Sequence, residues 1–327
     1  MRQTARTLFT AIAIAGATLA ASVVLTGAHA SEPAEFDNDS LKTWGEIESL
    51  AWPLQVAAAD KCSDPSFHTG IELLTSPAQG FFIRNVSRGS PAYGLLKVDD
   101  RIVSINGKKA HRNASKAFEA WVGGEREELR ASPDVQRWTV QRGDTELAVE
   151  VQPVKVCHLD IYYVQGAAPA ILRRQNMAMF TPQLHQIAPE PWMIQAQIAH
   201  DLGHRLGQHE QQRTRTSRLT GFAGNVLGAL GGPDLGGAAG HALNIRRAPA
   251  QEVAADRAGI DLAISIGLPE ADLIQYWVDV LDQTSNASGL SSWLSAHPAH
   301  PTRIDALQER FKLIAKQAQP PEDEPAS

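Results

Sequence analysis

Cysteine is scarce in this chain: two residues in 327, Cys62 and Cys157, too few for a thiolate zinc finger or an iron–sulfur site. A basic tract is also missing. Thirty Lys and Arg stand against 36 Asp and Glu, for a formal net charge of -6, which argues against nucleic acid as a partner because a phosphate backbone rewards clustered cations. No internal repeat stands out, so a solenoid is not indicated. Past residue 30 no apolar run is both long and unbroken; the small-residue-rich stretch from Gly221 to Gly240 is interrupted by Asn225, Pro233 and Asp234, too often for a membrane span. Disorder is excluded as well, since 43% of the residues are hydrophobic and only 20% charged. The chain is long enough for a sizeable core in one large or two smaller domains.

The first thirty residues read as an export signal. Arg2 and Arg6 precede an apolar stretch from Leu8 to Leu25, and Ala28-His29-Ala30 forms an A-x-A site, so cleavage is expected before Ser31. The apolar stretch is long enough that an uncleaved membrane anchor stays open as an alternative, and membrane association is expected only in that case. Export, here to a bacterial periplasm, places the chain where disulfides persist. Cys62 and Cys157 are then expected to pair, with a gain of about 4 to 5 kcal/mol in the loop-entropy description; two free buried thiols are the alternative.

Composition divides the remainder. Residues 31–66 form an N-terminal helical segment, with apolar positions at Leu41, Trp44, Ile47, Leu50 and Leu54 and a break expected at Pro53. Residues 67–157 alternate in short strand-like runs, with an Arg142-Gly143-Asp144-Thr145 hairpin turn and one helical stretch from Ala114 to Glu128. Residues 158–316 are mainly helical, with helices expected over Trp192 to Glu210, Gln251 to Gly267, Glu270 to Asp282 and Pro301 to Ala315. Arg213 to Ala248 is expected to be a lid or a surface insertion, and residues 317–327 a disordered tail. The fold class is α+β.

Within the strand-rich part, Phe82-Ile83-Arg84-Asn85-Val86, then Gly89-Ser90-Pro91-Ala92, then Leu95 through Gly107, resembles a bacterial PDZ domain. The resemblance implies capture of peptide C-termini by strand addition and a nest of backbone N–H groups. Thr69-Gly70-Ile71 is the preferred carboxylate loop over Gly80-Phe81-Phe82. Asp99 stands where the pattern has Gly. A PDZ fold that only packs against its neighbour is the other possibility.

His200-Asp201-Leu202-Gly203-His204 sets two imidazoles at i and i+4, on one helical face and at the separation needed to share one ion. A second helix offers Glu252 and Asp256 at the same spacing. Glu252 suits a third ligand, and Asp256 suits the role of accepting the free ring N–H of a ligating histidine. Gly203, Ala254 and Ala255 would let the two helices approach closely.

The H-x-x-x-H pair, the following E-x-x-A-D and the final Ser295-Ala296-His297-Pro298 with Arg303 together resemble the gluzincin metallopeptidase family that includes HtpX, BepA and the CAAX prenyl endopeptidases. They look most like its exported branch with a PDZ domain ahead of a zincin-type catalytic domain. The resemblance implies one Zn2+ per chain on His200, His204 and Glu252. It implies His297 and Arg303 at the cleft, with His209 outside the ligand set. His185, His241 and His300 read as surface residues. Unfolded proteins or peptide C-termini are the partners implied.

One departure bears on mechanism. The family motif is H-E-x-x-H, and Asp201 occupies the place of the glutamate that takes a proton from the attacking water. Aspartate keeps the charge but is one methylene shorter, a retreat of about 1 Å that can cost on the order of 100-fold in rate. A working peptidase, a slow one and a zinc-binding pseudopeptidase used for peptide binding or a chaperone-like role all remain open from sequence.

Overall fold

A computed structural model describes residues 38–317 apart from 77–79, 112, 114–115, 118–119, 164–176, 181–187, 210, 213, 218, 220–235 and 287–300. The expected signal segment, the tail beyond 317, His185, His297, His300 and the centre of the glycine-rich stretch therefore lie outside the described residues, as does the side chain of His241.

Helix α1 (Asn38–Ala57) continues through Pro53, where the sequence predicts a break. An interior proline costs about 3 kcal/mol, and burial of its neighbours Trp52 and Leu54 opposes that cost. The helix meets both the helical core and strand residues of the sheet. Ile47, Ala51 and Leu54 enter the helical core. On another face Glu48 pairs with Arg84 and accepts from Asn85 Nδ2 at 3.0 Å, while Arg84 lies 3.8 Å over the Trp44 ring. Trp44 Nε1 donates to the carbonyl of Ile161 at 2.8 Å.

The strand-rich region contains β1 (Ser66–His68), β2 (Ile71–Ser76), β3 (Gly80–Val86), β4 (Arg101–Ile105), β5 (Lys108–Lys109), β6 (Gln136–Arg142), β7 (Thr145–Val151) and β8 (Val154–Val156). The main sheet runs β2-β3-β4-β6-β7, with β5 on β4. Ile71, Phe81, Ile83, Ile102, Trp138 and Val140 fill its core. The β6–β7 hairpin turns where expected, with Gly143 at φ 58°. Asp99 takes φ 70°: aspartate adopts the left-handed conformation that glycine adopts more readily. A turn of π-helix (Trp121–Glu125) leads into α2 (Arg126–Ala131), so the expected single helix is kinked, at Gly124 with φ 140°. Strands β1 and β8 pair separately, and beside them Cys62 and Cys157 form a disulfide that closes a separation of 95 residues.

The helical region opens with a parallel pair, β9 (Asp160–Tyr163) and β10 (Met177–Phe180). It continues with α3 (Pro191–Leu206), α4 (Gly236–Ser265), α5 (Glu270–Asn286) and α6 (Pro301–Gln317). Helix α4 begins well before the expected Gln251, so 236–248 is helix rather than lid; its alanine-rich sequence from Ala238 carries enough helix propensity to outweigh the glycines. Helices α3 and α4 meet backbone to backbone. A β-carbon at Gly203 would overlap the Ala255 carbonyl, and one at Gly259 would stand 2.8 Å from the Ala199 carbonyl oxygen. Among the described residues no helix is long and apolar enough to cross a membrane.

Candidate metal centre

The close approach of α3 and α4 brings together the three groups singled out as ligands. His200 Nε2 and His204 Nε2 are 3.1 Å apart, one turn of α3 from each other. Glu252 on α4 places Oε2 at 3.4 Å from His200 Nε2 and Oε1 at 3.4 Å from His204 Nε2. A tetrahedral ion with bonds of about 2.0 to 2.2 Å requires donor separations of about 3.3 to 3.6 Å. The observed triangle matches within a few tenths of an ångström, and two neutral imidazoles with one carboxylate form a donor set suited to a divalent cation. The residues present fit the group.

A buried layer holds the triangle in place. Asp256 Oδ1 accepts from His200 Nδ1 at 2.8 Å, which directs His200 Nε2 toward Glu252. Asp256 is itself gripped at two points by Arg303, at 2.5 and 2.7 Å, and Arg303 Nη1 lies 3.5 Å from Glu252 Oε2. Trp277 packs against His200, with ring centroids 5.1 Å apart. Arg303 was expected to face the cleft. Its side chain is 0% exposed and its guanidinium contacts the Asp256 and Glu252 carboxylates. His297, the other residue expected at the cleft, is not described. Asp201 follows His200 on α3 and is half-buried.

The electrostatics agree with a site built for positive charge. Burial pushes the His200 imidazole down, but hydrogen bonds to Asp256 and Glu252 reverse this and raise it to about 9 without a metal. Burial likewise pushes the Asp256 carboxyl up, and Arg303 with His200 brings it below the usual carboxylate range. A divalent ion held by His200, His204 and Glu252 would take the place of that proton.

A second cluster, His68, Glu72 and His158, lies beside β1 and β9 and escaped the sequence reading because its members are far apart in the chain. Its donors do not suit a cation. Gly70 N–H donates to His68 Nδ1 at 2.9 Å, which assigns the ring proton to Nε2, and Arg130 Nη2 lies 3.1 Å from that nitrogen. The rings of His68 and His158 stack at 4.8 Å. His158 Nε2 donates to Asp160 Oδ1 at 2.9 Å, and Arg126 and Arg130 each stand 3.7 Å from the same carboxylate. Burial and then the nearby Arg130 charge hold both imidazoles below their usual range. The Asp160 carboxyl, pushed up by burial, is brought far down by His158 and the two arginines.

Below about pH 6.5 the unfolded chain binds protons at His68 and His158 that the folded chain refuses, so stability falls as pH drops from there through the folded values. Asp160 adds a loss on further acidification below about pH 4. Measured by the thermal midpoint, a His68→Gln/His158→Gln variant is therefore expected to lose less stability than wild type between pH 6.5 and 5, on top of the opposite contribution of Glu48, which burial raises to about 7. Equal slopes would exclude the two histidines as the cause.

The strand-rich region also locates the two candidate carboxylate loops. Gly80-Phe81-Phe82 starts β3 in a hairpin with β2 and is not a loop. Thr69-Gly70-Ile71 leads directly into β2, which lies at one end of the sheet. However, Thr69 and Ile71 are each 4% exposed, Trp52 of α1 packs near Gly70, and the Gly70 N–H is engaged by His68.

Comparison with known families gives two matches. Residues 167–311 match peptidase family M48, and residues 61–118 match the PDZ domain. The second match ends before β6 and β7, which complete the sheet. No curated protein matches the chain.

Proposed function

We propose, from the premise that this chain belongs to peptidase family M48 and carries a PDZ domain ahead of its peptidase part, that it is an exported zinc endopeptidase acting on unfolded or misassembled envelope proteins. The observation that carries the reading is the triangle of His200, His204 and Glu252, whose separations suit zinc. Zinc bound there supplies Lewis acidity toward a water and a peptide carbonyl. His200 and His204 present unprotonated Nε2 atoms, Asp256 fixes the His200 tautomer, and Arg303 balances the two buried carboxylates. Asp201 takes the proton of the attacking water on its carboxylate and returns it to the leaving amine.

Export is supported by the basic, apolar and A-x-A pattern of residues 1–30 and by the Cys62–Cys157 disulfide, which suits an oxidising compartment. For the PDZ part, the edge of β2 suits strand addition by an extended segment. Capture of a terminal carboxylate at Thr69-Gly70-Ile71 requires His68 to release the Gly70 N–H.

The test is hydrolysis of an unfolded protein by the mature chain from Ser31, with Asp201→Asn and chelator-treated protein alongside. Cleavage by the first alone is the expected result. Equal background in all three removes the peptidase reading. The shorter Asp201 favours a second reading, a zinc-binding pseudopeptidase that binds peptides or acts like a chaperone. That reading predicts peptide affinity and a chelator-sensitive thermal midpoint without cleavage.

A further inference from the structure

We propose that His209 is a positioning residue for the metal centre: its Nδ1 accepts a hydrogen bond from His204 Nδ1–H, which leaves His204 Nε2 unprotonated toward Glu252 and His200. The inference rests on the metal reading above and assigns a role to a residue that the family resemblance leaves outside the ligand set.

The geometry is specific. The two Nδ1 atoms are 2.9 Å apart, with the rings 81° from coplanar and their centroids at 5.1 Å. His209 is 6% exposed. A hydrogen bond between two neutral imidazoles needs one donor and one acceptor. If His204 Nε2 is to offer a lone pair to an ion, its proton must sit on Nδ1, so His209 must accept on Nδ1 and carry its own proton on Nε2. The opposite assignment would protonate His204 Nε2, which lies 3.1 Å from His200 Nε2, and remove it from the donor set. His209 is not itself a ligand in this arrangement, because its Nδ1 engages the His204 nitrogen that faces away from the triangle.

The backbone is shaped to hold the ring there. Helix α3 ends at Leu206; Gly207 caps it, and Gln208 takes φ 52°, a left-handed conformation that folds the chain back. The His209 ring lies on Gly207 so closely that a β-carbon at that position would overlap it. The two ligand histidines are thus oriented differently, His200 by a carboxylate and His204 by a neutral ring.

The experiment measures zinc affinity of the full mature chain by competition with a chromophoric chelator, for wild type, His209→Leu and His209→Asn. Loss of an outer hydrogen-bond partner typically weakens metal binding 10- to 100-fold, and that is the expectation for His209→Leu. Asparagine places an acceptor oxygen close to the position of Nδ1, so His209→Asn should bind within a few-fold of wild type. Nitrogen-15 spectra of the zinc-loaded wild type should show the His204 proton on Nδ1 and the His209 proton on Nε2; they decide the matter even if His209→Leu fails to fold. Affinity unchanged in His209→Leu, asparagine as weak as leucine, or a proton on His209 Nδ1 would overturn the proposal while wild-type zinc binding stands. No zinc binding by wild type would overturn the metal reading and this inference together.

Discussion

Arg303→Met is expected to lower stability by about 3 to 5 kcal/mol, the usual cost of stranding buried charge, and the thermal midpoint by on the order of 10 °C. Arg303 is 0% exposed, and so is Glu252; Asp256 is 3% exposed. Without metal, the two carboxylates are balanced by Arg303 and by a His200 that holds its proton up to about pH 9. Removing the guanidinium leaves a buried net negative charge. With a divalent ion in place the same substitution removes one positive charge from a set that has one to spare. The loss of stability should therefore be larger in chelated than in metal-loaded protein, and melting curves of both forms for wild type and variant measure the difference. Equal losses would mean that Arg303 contributes packing rather than charge balance. Arg303→Lys keeps the charge but not the two-point grip on Asp256, and should recover part of the loss.

The second large effect is kinetic. Asp201→Glu is expected to raise kcat on an unfolded protein by about 100-fold, the scale attached to a misplacement of about 1 Å. Asp201→Asn is expected to lower it by about 10²- to 10⁴-fold, the usual contribution of a positioned general base. Neither variant removes a metal ligand, so zinc content and thermal midpoint should match wild type and separate a chemical effect from a folding one. If Asp201→Glu turns over no faster than wild type, the α3 backbone already brings the shorter carboxylate into reach. If wild type is inert and Asp201→Glu active, the pseudopeptidase reading is the correct one.

Sequence and structure meet most closely where one local rule decides the outcome. Four residues is one helical turn, so His200 and His204 share a face, as do Glu252 and Asp256 on the next helix. A small residue at Gly203 marks the point where a neighbouring backbone enters. The reading failed where distant segments set the environment. Pro53 predicts a broken α1, but the helix continues through it, with its neighbours Trp52 and Leu54 buried. Nothing near Arg303 in the sequence says that it is buried against an acid 47 residues away. His68 and His158 are 90 residues apart and become neighbours only when β1 pairs with β8 beside the disulfide. For His209 no local rule spoke: Gly207 keeps a right-handed backbone and the left-handed residue is Gln208, so the glycine serves only to leave room for the ring that lies on it.

The order of the site along the chain has a consequence for biosynthesis. Ribosomes deliver residues N-terminus first. His200, His204 and Glu252 thus emerge before the guanidinium that balances Asp256 and Glu252, which arrives only with α6. Until then the acids beneath the ligand triangle lack their fixed positive partner, and the nascent chain cannot assemble the finished pocket.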